Sequence, residues 1–171
     1  DLIKERVEAS GKTDAKPWHR TLGPLVAFWL PLVYFVIAGL DKRLGWSAPI
    51  PPLIQAIAWI TTLAGFTLST WALVENRFFS SVVRIQSDRG QKVVNTGPYR
   101  LVRHPGYAGA LLVALSFPLI LGTLWAYPPI ALFLAAVITR TSLEDRTLQN
   151  ELPGYSEYCL TTRFRLFPGL W

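Results

Sequence analysis

The stretch GYAGALLVALSFPLILGTLWAYPPIALFLAAVIT, residues 106–139, runs for 34 residues without a charged side chain. As one helix it would measure roughly 50 Å, against a bilayer hydrocarbon core of ~30 Å. Pro118, Gly122, Pro128 and Pro129 fall near its middle, where a turn belongs. The stretch therefore predicts two short helices forming a tight hairpin, the second continuing into water past Arg140. Two further uncharged stretches, residues 21–40 and 53–74, each match one bilayer crossing. Pro24 and Pro31 lie inside the first and predict a kink there. One such stretch could be the core helix of a soluble protein; three in 171 residues read as membrane.

The composition agrees. Hydrophobic residues make up 51% of the chain and charged residues 16%, where soluble domains carry about 25%. The first apolar run follows a polar segment, lacks a small-residue cleavage pattern and is too long for a signal-peptide core. With no Met and an Asp at position 1, the sequence reads as a trimmed chain. The expectation is an all-α integral membrane protein of four transmembrane helices. Residues 1–20 form a cytoplasmic or interfacial segment, 21–74 the first two spans, 75–105 a cytoplasmic loop, and 106–171 a hairpin of spans plus a tail. The whole forms a single membrane domain.

Lys and Arg are distributed unevenly along this plan. Fifteen fall on the side holding both termini and the long middle loop, and two (Lys42 and Arg43) on the other. By the positive-inside rule the termini and the loop face the cytoplasm. The net charge of +6 then reflects that bias and attraction to anionic lipid, with no nucleic-acid partner required. Cys159 is the single cysteine, so no intramolecular disulfide forms. With only His19 and His104 besides, no metal site is expected.

Within the loop, residues 81–86 and 91–94 are β-prone and flank the turn-like Ser87-Asp88-Arg89-Gly90, which predicts a small cytoplasmic β-hairpin. Asn95-Thr96-Gly97-Pro98 turns the chain back to the membrane. Pro153-Gly154 ends the last long helix, and an aromatic tail with Arg163 and Arg165 folds back as a cap. Trp18 and His19 sit where an aromatic belt would anchor the first span. Arg140 and Glu144, four residues apart, share a helix face at a membrane boundary, where ionisable side chains commonly line a polar cavity.

The string Thr96-Gly-Pro-Tyr-Arg-Leu-Val-Arg-His-Pro-Gly-Tyr-Ala-Gly109 resembles the signature of the isoprenylcysteine carboxyl methyltransferase-like family, membrane enzymes related to phospholipid methyltransferases. So do Arg140-x-x-x-Glu144-Asp145 and the Pro-Gly-Tyr-x-x-Tyr run leading to Arg-Leu-Phe-Pro-Gly. The likeness covers roughly residues 80–171. It implies an S-adenosyl-L-methionine-dependent methyltransferase, its cofactor held in a cytoplasm-facing pocket closed by the loop and tail. By position, Gln91, Lys92, Val93 and Val94 would run along the cofactor. Tyr99, His104, Pro105, Gly106 and Tyr107 would contact it, and Glu144 would bind it through its ammonium. Arg140 matches the arginine assigned to the substrate. Asp145 departs from the Glu-Glu pair usual in the family and is assigned no contact.

The implied reaction is O-methylation of an isoprenylcysteine-type carboxylate reached from the bilayer. Methylation of a phospholipid amine or a thiol stays open, as does an NADPH-dependent membrane reductase with Lys92, Arg100 and Arg103 as its phosphate-binding cluster. The short form of the chain resembles prokaryotic, inner-membrane members.

Overall fold

The computed structural model describes residues 16–171. Of the interfacial segment expected over residues 1–20, residues 1–15 lie outside the described part; Lys16 at its end pairs with Glu151 at 2.6 Å. Four long helices run alternately up and down. They are α1 (His19–Leu44), α2 (Pro52–Glu75), α3 (Pro105–Leu121) and α4 (Tyr127–Glu151), followed by the short α5 (Tyr155–Thr161).

Local sequence sets the ends of these helices. Pro52 and Pro105 open α2 and α3 at positions where a missing N–H costs nothing. Gly45 and Gly122 close α1 and α3 at φ 69° and 67°, the left-handed conformation that glycine adopts without a Cβ clash. The kink expected from Pro24 and Pro31 takes the form of a π-turn over Leu25–Trp29, where Leu30 N donates to Leu25 O. Proline cannot donate in the α-helical ladder, and one residue of slack accommodates the break.

The helices are membrane helices in character. α1 and α2 are long and apolar enough to cross a bilayer, and only 22% of each apolar window is buried. That exposure is the reverse of a soluble core helix: Leu53, Ile57, Ile60, Leu63 and Phe66 on α2 all face outward. α3 is apolar but 17 residues long, and α4 carries Arg140, Glu144 and Asp145 in its second half. Length and composition thus pick out two crossings rather than the four expected.

The closest pair of helices is also not the expected α3–α4 hairpin. α3 lies along α2, where a Cβ on Gly65 would stand 2.7 Å from Gly109 O. Small residues at this seam let the two backbones approach, the means by which helices associate without a hydrophobic drive between them. Leu111 and Ala114 of α3, Phe133 and Val137 of α4, Leu30 of α1 and Leu166 of the tail make the core.

No strand occurs among the described residues, so the predicted β-hairpin does not form. Ser87–Arg89 make a 3₁₀ turn closed by Gly90, where the turn was expected; Gln91 N donates to Gln86 O across it, but the flanks form no ladder. Their backbone groups are taken elsewhere. Ser81 O accepts from Arg140 Nη2, Val83 O from Lys16 N, and Gln86 N donates to Gln91 Oε1. Side chains satisfy the groups that a ladder would have used.

At the end of the bundle away from this loop, buried Asp41 accepts from Ser47 N and from the Ser47 and Thr123 hydroxyls. It ties the α1–α2 connection to the α3–α4 turn.

Candidate active site

Five chain segments meet at the loop end of the bundle around a cavity of roughly 470 Å³, within the usual range for small-molecule sites. α1 contributes His19, Gly23 and Pro24 to its wall, the loop contributes residues 78–86 and 91–94, and α3 contributes Gly106 and Tyr107. α4 adds Arg140, Glu144, Thr147 and Leu148, and Tyr155 and Tyr158 of α5 close one side. Of the residues singled out from sequence, Gln91, Lys92, Val93, Val94, Tyr99, His104, Gly106, Tyr107, Arg140 and Glu144 all line this cavity. Pro105 does not; it is buried at the first position of α3 and sets where that helix begins.

A hydrogen-bonded chain crosses the wall from α4 to α3 and back. Arg140 Nε donates to Tyr107 Oη at 2.7 Å, and Tyr107 Oη donates to Glu144 Oε2 at 2.7 Å. Arg140 and Glu144 share a helix face but do not pair directly; the phenol stands between them. Arg140 Nη2 donates to Ser81 O, which fastens the loop to α4. Among the described residues Nη1 makes no hydrogen bond. Glu144 is half-buried at the wall and its Oε1 likewise has no protein donor.

Behind the wall lies a second cluster centred on Asp145, a residue the sequence reading left without a contact. Its carboxylate is fully buried. Oδ1 accepts from Arg103 Nε at 2.8 Å and from Tyr155 Oη at 3.0 Å, and stands 3.2 Å from His104 Nε2. Oδ2 accepts from Arg103 Nη2, Arg165 Nε and Gln149 Nε2. Burial alone would raise its pKa, but the donors His104, Arg103 and Arg165 outweigh it and hold the carboxyl well below the usual carboxylate range. Burial and the same carboxylate push the Tyr155 phenol up, so it remains a donor.

This cluster determines where the tail goes. Arg103 Nη1 donates to Thr162 O and Arg163 O, while the backbone N–H groups of Arg103 and His104 donate to Phe164 O and Arg165 O. Tyr158 Oη donates to Tyr99 O at 2.6 Å. The tail is thus laced to the segment before α3, and α5 is held over the cavity. The tail folds back as expected, and its Arg165 Nε donates to Asp145 Oδ2 at 2.8 Å. The signal for Asp145 was the pairing of an Arg-His dipeptide before α3 with a lone acid next to Glu144. His104 thus has an acidic partner in Asp145.

The arrangement is that of a membrane protein with a largely apolar, small-molecule-sized cavity, carrying a few polar groups, between its helix ends and a laced loop and tail. The profile of the Isoprenylcysteine carboxyl methyltransferase family matches residues 58–150, more than half of the chain, and the chain belongs to that family. Two rice proteins, each described as "Probable protein-S-isoprenylcysteine O-methyltransferase", one from Oryza sativa subsp. indica and one from subsp. japonica, are 33% identical to it over 64 residues. That match covers 37% of this chain and 34% of each rice protein, so it spans about a third of their length. The matched profile holds α3, most of α4 and the loop, and leaves out α1 and the tail.

Proposed function

We propose that the chain transfers a methyl group from S-adenosyl-L-methionine to the carboxylate of a lipid-borne acceptor of the isoprenylcysteine type. The observation that carries this reading is the Arg140–Tyr107–Glu144 chain on the cavity wall. It sets a carboxylate able to receive an ammonium beside a guanidinium able to receive an anion.

The residues present suit such a donor. Glu144 Oε1 is available for its amino group, and Val93, Leu148, Leu152, Tyr155 and Tyr158 supply an apolar, aromatic slot for a nucleoside. Bound there, the donor would supply an activated sulfonium methyl. What the protein supplies is alignment and exclusion of water. Arg140, fixed through Nε and Nη2, keeps Nη1 to orient a carboxylate. A carboxylate attacks in its ionised form, so the site needs no general base. The buried wall disfavours separated charge and so favours a reaction in which a cation and an anion neutralise each other.

A reductase reading finds less support. Arg100 is exposed and off the cavity, and Arg103 is committed to Asp145, so the expected cluster of Lys92, Arg100 and Arg103 does not assemble. In the membrane, α3 and the first half of α4 cross as short spans beside α1 and α2. The Lys/Arg-rich end that holds the cavity faces the cytoplasm, following the positive-inside rule. Calorimetric titration of the detergent-solubilised protein with S-adenosylhomocysteine and with NADPH tests the donor. Saturable binding of S-adenosylhomocysteine alone is expected; binding of NADPH alone overturns the assignment.

A further inference from the structure

α1 lies outside the matched part of the family profile, yet it sends one polar side chain into the cavity wall. His19 opens α1, and its ring lies against Gly23 one turn on, where a Cβ would come within 2.7 Å of His19 Cε1. Glycine at position 23 is what admits the ring to this position. Arg140 and Glu144 of α4 line the same cavity as this ring. Neither ring nitrogen has a protein hydrogen bond among the described residues, and Nδ1 is fully buried.

These facts fix the chemistry of the ring. A protonated imidazole would bury a charged N–H at Nδ1 without an acceptor, so the ring is neutral. A buried N–H without a partner is rarer than a bare lone pair, so Nδ1 carries the lone pair and Nε2 the proton. Nε2, the nitrogen that is not fully buried, then has one N–H to offer in the cavity the ring lines. Arg140 Nη1 presents another from α4. Two donors from two helices, both without protein partners, suit an acceptor with two anionic oxygens.

We infer that His19 is an acceptor-binding residue, its Nε2–H and Arg140 Nη1 together holding the carboxylate that receives the methyl group. This rests on the methyl-transfer reading for its purpose, but the binding geometry is testable without turnover. The probe is S-farnesylcysteine, compared with its carboxamide, which keeps the lipid and removes the anion.

Three proteins are titrated with both compounds: wild type, His19→Phe, which keeps a ring on Gly23 but no donor, and His19→Gln, whose amide N–H reaches a position close to Nε2–H. Wild type binds the carboxylate more tightly than the carboxamide. His19→Phe weakens carboxylate binding by roughly tenfold to a hundredfold, the worth of a hydrogen bond to a charged group, and leaves carboxamide and S-adenosylhomocysteine affinities unchanged. His19→Gln restores most of the loss. Equal binding of carboxylate and carboxamide by wild type overturns the inference, as does unchanged carboxylate binding in His19→Phe or failure of His19→Gln to restore it. Absence of S-adenosylhomocysteine binding in wild type, with the carboxylate preference intact, strikes the donor assignment and leaves the His19 site standing.

Discussion

Arg103 grips Asp145 with two parallel hydrogen bonds, Nε to Oδ1 at 2.8 Å and Nη2 to Oδ2 at 2.9 Å, both groups buried. The bidentate pair joins the segment before α3 to the middle of α4, and Arg103 Nη1 extends the junction to the tail. Tyr107, Arg140 and Glu144 line the cavity beside this junction without taking part in it.

Asp145→Ala is therefore expected to act on stability first. Breaking a buried ion pair by removing one partner typically costs about 3–5 kcal/mol, because the remaining charge is left uncompensated. Thermal unfolding in detergent should show a large fall in melting temperature. Proteolysis should show early cleavage in the released tail.

The same carboxylate predicts a pH response. Its folded pKa is depressed, so its contribution is complete above the unfolded value of about 3.9 and is lost as pH falls toward the folded value. Stability from this cluster should be flat between about pH 5 and pH 8. It should fall below about pH 4 in wild type, with a smaller fall in Asp145→Asn.

Tyr107→Phe removes the hydroxyl between Arg140 Nε and Glu144 Oε2 and brings no new group into the cavity. A loss of about 1.5–3 kcal/mol is expected for hydrogen bonds to charged partners. It should be shared between donor affinity and acceptor turnover, since both ends of the chain lose a restraint. Glu144→Ala should lower affinity for S-adenosylhomocysteine alone, and Arg140→Ala mainly turnover with an acidic acceptor. Binding and steady-state kinetics separate the three patterns.

Gly65→Val tests the seam between α2 and α3. A Cβ there already meets Gly109 O at 2.7 Å and Val113 Cγ2 at 2.9 Å, so larger groups must push the helices apart. A loss of about 1–3 kcal/mol is expected from overpacking, read as a lower melting temperature.

Asp41→Asn, at the opposite end of the bundle, should lower the melting temperature while leaving S-adenosylhomocysteine affinity unchanged.

Much of the site could be read from the order of residues. Tyr99, His104, Gly106, Tyr107, Arg140 and Glu144 were legible through the family resemblance of their motifs, and the fold carries them to one cavity. Asp145, Arg165 and His19 were not, because their roles depend on which helices pack together. A lone acid, a tail arginine and an aromatic near a span each have an ordinary local explanation. The β-hairpin failed for a related reason. Residues 81–94 have strand-prone side chains and a turn between them, but tertiary partners such as Arg140 and Lys16 claim the backbone. The apolar stretches announced membrane helices correctly, while length alone picks out α1 and α2, and the α2–α3 seam was hidden in two glycines 44 positions apart in the sequence.

The most direct test of the central claim is transfer of labelled methyl from S-adenosyl-L-methionine to S-farnesylcysteine in lipid vesicles, followed by mild base treatment of the product. Methyl transfer to a carboxylate predicts label on the farnesylcysteine that base releases as methanol, with the signal lost in Arg140→Ala. Label that resists base, or no transfer by protein that binds S-adenosylhomocysteine, would contradict it.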